Sequence, residues 1–177
     1  VRVQDNTFQT FCIEQNEHLS DGETYDYLIS GAADKGGVGG GSPDPISEAT
    51  AYLFDQFSNG TLANYDYLDA TADGRAVSAR ELQKAFWSLE DEDPAPTGGQ
   101  ALAWYNQALG AVASGGWTGL GQVRVLNLYT EGFSGNAQYA QQSQLVVVPV
   151  PAGALLGFGL LGMLGMARVI RGRRKKA

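Results

Sequence analysis

From Leu145 to Ala167 the chain runs 23 residues without a charge, and six of its 12 basic residues follow within the last ten positions. About 20 apolar residues carry a helix across the hydrocarbon core of a bilayer, so this stretch predicts one transmembrane helix over 152–170. The cations after it are Arg168, Arg171, Arg173, Arg174, Lys175 and Lys176. Lys and Arg tend to stay on the cytoplasmic side, which predicts an exterior domain over 1–148 and a C-terminal segment over 149–177. A soluble core helix has no use for six cations in its last ten residues. The sequence starts at Val1 with no apolar leader. An export signal is therefore expected to have been removed or to lie outside this numbering.

Charge follows the same division. All 19 acidic residues precede Pro149, so with six basic residues the exterior segment carries −13 and the tail +6. A surface that acidic repels phosphate, which excludes nucleic acid as a partner.

The tail "VPVPAGALLGFGLLGMLGMARVIRGRRKKA" resembles a PEP-CTERM-type sorting signal, closest to its Val-Pro-Leu-Pro-Ala variant. The likeness lies in a Pro-containing box at Pro149 to Pro151, a Gly/Leu-rich span and a basic end that includes Arg173 and Arg174. Val150 stands where Glu or Leu is usual. The resemblance implies an exosortase-type sorting enzyme as partner and a precursor anchored in the inner membrane of a Gram-negative bacterium. The mature protein is then expected at the cell surface or in the exopolysaccharide matrix of a biofilm.

About 150 exterior residues suit one domain with its own core. One cysteine cannot form an internal disulfide, so packing must hold that core together. Strand patterns stand at both ends. "NTFQTFCIE" alternates Phe8, Thr10 and Cys12 against Thr7, Gln9, Phe11 and Ile13, and "TYDYLIS" (24–30), "QVRVLNLYT" (122–130) and "QSQLVVV" (142–148) read likewise. Three helices are expected between them. "ISEATAYLFDQFSNG" places Ile46, Ala49, Leu53 and Phe57 on one face. "SARELQKAFWSLE" starts on a Ser78 cap with Glu81 three residues on and buries Ala79, Leu82, Phe86 and Leu89. "GQALAWYNQALGAVASGG" ends at Gly115-Gly116. The predicted class is α+β, with sandwich-like strands at both ends, about three helices between, and the C-terminal membrane helix. "GAADKGGVGGGSPDP" (31–45) reads as a flexible, exposed loop. It lacks the spacing and the Lys-Ser/Thr of a phosphate loop.

Cys12 has three possible fates: an inert buried thiol, a link to another molecule, or a reactive group. A cysteine hydrolase needs a base beside the thiol, and the sole histidine, His18, lies in the polar stretch "EQNEHLSDG". One Cys and one His do not make a metal site either, and no cofactor is expected. "DATADGRAVSARE" carries Asp69, Thr71 and Asp73-Gly74 at calcium-loop offsets. Arg80 fills the twelfth position and Glu81 comes one residue late, so a polar turn before a helix is the better reading. "EDEDP" (90–94) reads as a solvated helix end.

"FCIE" (11–14) and "LQKAFW" (82–87) together resemble the thioester domains of bacterial surface adhesins. There, a Cys that follows an aromatic residue bonds to the Gln of a Gln-x-Ala-Ile-Trp motif. Here Phe11 precedes Cys12, and Gln83 is followed by Ala85, Phe86 and Trp87, with Phe86 in the place of Ile and Leu82 where Thr is common. The resemblance implies that the Cys12 thiolate attacks the Gln83 carbonyl and expels ammonia. An amine such as a Lys of another protein can then attack the thioester. Such a chain attaches once and does not turn over, so it is not an enzyme. The alternative is a structural protein of the cell surface or matrix that keeps the fold without the bond. Gln83 on its own reads as a solvated position and Trp87 as core or an amphipathic edge. A carbohydrate-binding module is a third class, and it needs Trp104, Trp117 and Tyr129 exposed on one face.

Overall fold

The computed structural model describes residues 8–68 and 74–149. The chain runs through β1 (Tyr25–Ser30), β2 (Ala32–Ala33), β3 (Asp44–Pro45), α1 (Glu48–Ser58), α2 (Arg75–Leu89), α3 (Gly99–Ala113), β4 (Val123–Thr130) and β5 (Gln144–Val147), with a short 3₁₀ turn at Ala137–Tyr139. The main sheet is antiparallel in the order β1-β4-β5, and β2 and β3 make a separate two-residue ribbon.

β4 is the centre of the sheet. Val123, Val125, Asn127 and Tyr129 alternate inward and are buried, as the period of two requires. β1 pairs along its whole length with β4, Tyr25 opposite Thr130 and Ser30 opposite Val125, and leaves Tyr27, Leu28 and Ile29 exposed at the sheet edge. At the other edge β5 pairs from Val123–Val147 to Leu126–Gln144.

α1 forms where expected. Ser47 caps it by accepting from the Thr50 N–H, and Ala49, Leu53, Phe54 and Phe57 face the core. α2 begins at Arg75, three residues before the expected cap. Ser78 lies inside the helix, and its hydroxyl accepts from the Asp66 N–H at 3.2 Å. Glu81 does not close a capping box. It reaches α3, where its carboxylate accepts the Ala101 N–H at 3.3 Å, and it pairs with Lys84. α3 ends at a Ser114 cap and a left-handed Gly115, as its Gly-Gly stop predicts.

The expected architecture is corrected at two places. Among the described residues the strands make one three-stranded sheet and a ribbon, with no sandwich; the stretch 8–15 is no regular strand but is tied to β5 by a single bridge, Cys12 to Gln144. Exposed Phe8 and the polar run after Glu14 leave too few apolar pairs to extend it. The membrane helix is the second. Among the described residues no helix is long and apolar enough to cross a membrane. The longest have 15 residues and rise only about 22 Å at 1.5 Å per residue, short of a core about 30 Å thick. The stretch 152–170, with Pro151, Arg173 and Arg174, lies outside the described residues, as do Asp69, Thr71 and Asp73; Pro149 is described and exposed.

The core joins the helices to the start of the domain through aromatic rings. Phe11 sits 5.0 Å from Phe57 of α1 and 5.2 Å from Phe86 of α2, ring centre to ring centre, and Phe54 lies 6.2 Å from Phe86. Tyr65 continues the cluster to Trp104, whose indole N–H donates to the Ala63 carbonyl at 2.9 Å. Trp104 and Tyr129 are therefore core residues, and Tyr129 donates its hydroxyl proton to Asp34. That removes the carbohydrate-binding reading, which required both on an exposed face.

Phe86→Ala should cost about 3–5 kcal/mol, because the ring is fully buried and bridges Phe11 to Phe54. Urea unfolding measures it; a loss under about 1 kcal/mol would mean that this cluster does not join the two helices to the N-terminal segment.

Candidate functional site

The cluster that orders Phe11 also sets where Cys12 goes. Phe11 and Ile13 turn inward and are buried, so Cys12, between them, turns the other way and is half-buried. On α2, Gln83 lies three residues before Phe86 and four before Trp87, one turn along the same helix face. Contact between Phe11 and Phe86 therefore puts the next residue of the strand-like segment beside the preceding turn of the helix. Cys12 meets Gln83 there.

The meeting is a closed pair of hydrogen bonds. The Cys12 N–H donates to Gln83 Oε1 at 3.0 Å, and Gln83 Nε2 donates to the Cys12 carbonyl at 2.8 Å. A backbone N–H needs an acceptor and a backbone carbonyl needs a donor, so this pairing fixes which end of the carboxamide is oxygen. The carboxamide carbon, bonded to both atoms, is held against residue 12. The two residues expected to react, 71 apart in sequence, are brought together.

Other expected residues play supporting parts. Ala85 is fully buried beside this turn. Trp87 is half-buried, its indole N–H is enclosed without a partner, and its carbonyl accepts the Glu92 N–H at 2.8 Å. His18 is exposed and Cys12 is a free thiol. Among the described residues no group of three or more His, Cys, Asp or Glu could hold a metal ion.

Four residues of the site are not among those expected from the sequence. Gln144, at the start of β5, is buried, and its Nε2 lies 3.5 Å from the Cys12 sulfur. Glu14 is 1% exposed; its Oε2 accepts the Ser143 N–H at 2.8 Å and its Oε1 has no partner. Burial pushes the Glu14 carboxyl up to about 7, and the charge of Glu17 adds to the rise. Burial likewise raises the Cys12 thiol above its ordinary 9.0, opposed by the hydrogen bond from Gln144 and assisted by the charge of Glu14.

The other two are Glu90 and Glu92, in the run expected to be a solvated helix end. Glu90 accepts from the Ser47 N–H at 3.0 Å and its hydroxyl at 2.8 Å, so it fixes the start of α1; burial raises its carboxyl to about 7. Glu92 accepts from Gln15 N at 2.7 Å through Oε2, and from Val38 N at 2.7 Å and Gly39 N at 3.0 Å through Oε1. One carboxylate thus ties the Cys12 segment and the Gly-rich loop to the helix that carries Gln83. The loop is therefore not free: a Cβ at Gly37 would come within 2.2 Å of the Glu92 carboxylate oxygens. Glu14, Glu90 and Glu92 show in the sequence only as acids near the two motifs, and Gln144 lies far from both; what buries all four is contact between segments far apart.

Comparison with protein families, curated proteins and solved structures finds no significant match. The thioester-domain resemblance therefore stands on the residues of this chain alone.

Two predictions follow from the acids. Glu92→Ala leaves three backbone N–H groups without their acceptor and should cost on the order of 3 kcal/mol in denaturant unfolding; a neutral effect would mean that water replaces the carboxylate. For Glu14 the folded carboxyl titrates at about 7 against an ordinary 4.5, so the fold holds the extra proton between those values. Stability from this group is then greatest below about pH 4.5, falls as pH rises and levels off above about 7, a change on the order of 3 kcal/mol. Unfolding free energies of the parent minus those of Glu14→Gln should trace that fall, and a flat difference across the window would show that Glu14 stays charged in the fold.

Proposed function

We propose that Cys12 and Gln83 form an internal thioester and that the domain uses it to attach covalently, once, to an amine-bearing target. The observation that carries this reading is the Cys12 N–H aimed at Gln83 Oε1 at 3.0 Å. When a thiolate attacks a carboxamide carbon, negative charge develops on that oxygen. A fixed donor already in place lowers the barrier without any reorganisation. The same pair of bonds holds the electrophilic carbon beside the nucleophile's own residue, which removes the entropy of bringing them together.

The burial of Phe11, Ile13 and Ala85 around the pair supports it further, because a thioester survives only where water is held off. The half-buried Cys12 leaves an approach for a small amine or a lysine side chain. Export, recognition by an exosortase-type enzyme and placement at the surface or matrix of a Gram-negative bacterium rest on the tail sequence, from Pro149 to its basic end.

The second reading is a structural surface or matrix protein with a free thiol. Its support is that both polar atoms of Gln83 already have hydrogen-bond partners, as in any ordinary buried amide. Mass separates the two. The purified chain should weigh one ammonia less than its sequence and should resist thiol alkylation while folded. Methylamine should leave the chain one CH2 heavier than its sequence, as an N-methylamide at Gln83, and free Cys12, and Cys12→Ala should abolish both effects while keeping the fold. A chain of full sequence mass whose Cys12 alkylates in the fold would leave only the structural reading.

A further inference from the structure

We propose that Gln144 is a catalytic residue of this reaction: its side-chain N–H steadies the Cys12 sulfur as a thiolate, both when the sulfur attacks Gln83 and when an amine displaces it. The inference rests on the thioester reading and adds to it a third group, 132 residues from the cysteine.

The reaction places charge on two atoms in turn, and each has its own donor. In thioester formation the sulfur bears charge first. It bonds to the Gln83 carbon, charge passes to Oε1, and the carbon–nitrogen bond breaks with the thiol proton leaving on ammonia. In capture an amine bonds to the same carbon, the carbon–sulfur bond breaks, and the amine's proton ends on the sulfur. The Cys12 N–H serves the oxygen. Gln144 Nε2, 3.5 Å from Sγ, serves the sulfur, and among the described residues it is the one side chain that hydrogen-bonds it.

The surroundings make that donor matter. The Glu14 carboxyl, when ionised, raises the thiol by its charge, and the thiol sits in a desolvating environment. Both oppose a thiolate, so a neutral donor on the sulfur is the available counterweight. Its position is also held. Gln144 is 5% exposed, its backbone pairs with Cys12 on one side and with Leu126 on the other. The adjacent Ser143 is fixed by Glu14 through its N–H and by Asn127 through its hydroxyl at 3.0 Å. Asn127 in turn donates to Ser30 Oγ and the Ala32 carbonyl. A donor anchored at that many points keeps its aim while bonds at the sulfur change.

The test removes the N–H and keeps the shape. Gln144→Met lacks the donor, and Gln144→Glu keeps the length while leaving only acceptors. In a Gln83→Ala background, where no thioester can form, the pH dependence of iodoacetamide alkylation reports ionisation of Cys12. The midpoint should rise by about one unit in the Met variant and further in the Glu variant. In chains that keep Gln83, opening by methylamine should slow about tenfold in Gln144→Met, with circular dichroism unchanged. Unchanged midpoints with unchanged opening rates would overturn the role. So would methylamine recovered on Gln144 in place of Gln83, which would make Gln144 the acyl donor. A parent chain with no ammonia loss withdraws the thioester reading and the catalytic role with it. In that case the alkylation midpoints still reveal whether Gln144 touches the thiol.

Discussion

The fold turns on one aromatic ring. Phe11 enters between α1 and α2 and touches Phe57 and Phe86, and that contact is what turns a loose N-terminal segment into part of the domain. The sheet does little to order the segment. This stretch makes no regular strand, and its backbone bonds to 143–145 are a short fringe: Ile13 N to the Ser143 carbonyl and Leu145 N to the Phe11 carbonyl. Burial of a Phe ring is worth roughly 1.5–3 kcal/mol, more than any one of those backbone bonds contributes on its own. Once the ring is seated, residue 12 can lie only against the turn of α2 that carries Gln83.

Polar groups then convert this apolar wedge into a defined register. The Gln83 carboxamide grips the backbone of residue 12, and Glu92, just past the end of the same helix, grips the backbone of residue 15. The two grips, one on α2 and one just past its end, lie nine residues apart there and three apart on the segment, and they align the two along their length, where the wedge alone would let them slide. A buried acid that accepts three N–H bonds is strongly favoured over the same acid unpaired, so the second grip is also a specific one.

Much of this was legible from the sequence, and the misses have a common cause. The helices were visible as faces of period 3.6, the main strands as period-two runs, and Cys12 with Gln83 as two short motifs. The sequence pattern puts the start of α2 too late because Ser78 has the form of a cap while its hydroxyl serves Asp66. "EDEDP" reads as solvated because charge density marks surface by default, whereas Glu90 and Glu92 are drawn inward by N–H groups from the cap of α1, the Gly-rich loop and the Cys12 segment. Gln144 carries no motif of its own. Its meaning depends on which residue β5 has as its neighbour, and that is a property of the sheet.

The separation of the parts along the chain bears on the chemistry as well as the fold. Cys12 is 71 residues from Gln83 and 132 from Gln144, so nucleophile, electrophile and donor meet only after the helices have packed and β5 has joined the sheet. A reaction between them is thereby confined to folded molecules, which matters for a group that any free amine can consume. A Cys12–Gln83 crosslink would also close a long loop, and by the chain-entropy account of crosslinks such a closure is worth about 4 kcal/mol to the folded state. Capture of an amine gives that contribution up. What remains is the set of contacts that does not involve the bond: the Phe11 wedge, the Glu92 grip and the Asn127–Ser143–Glu14 network. On the proposed reading, a domain that stays folded after its one reaction is held together by such contacts rather than by the crosslink.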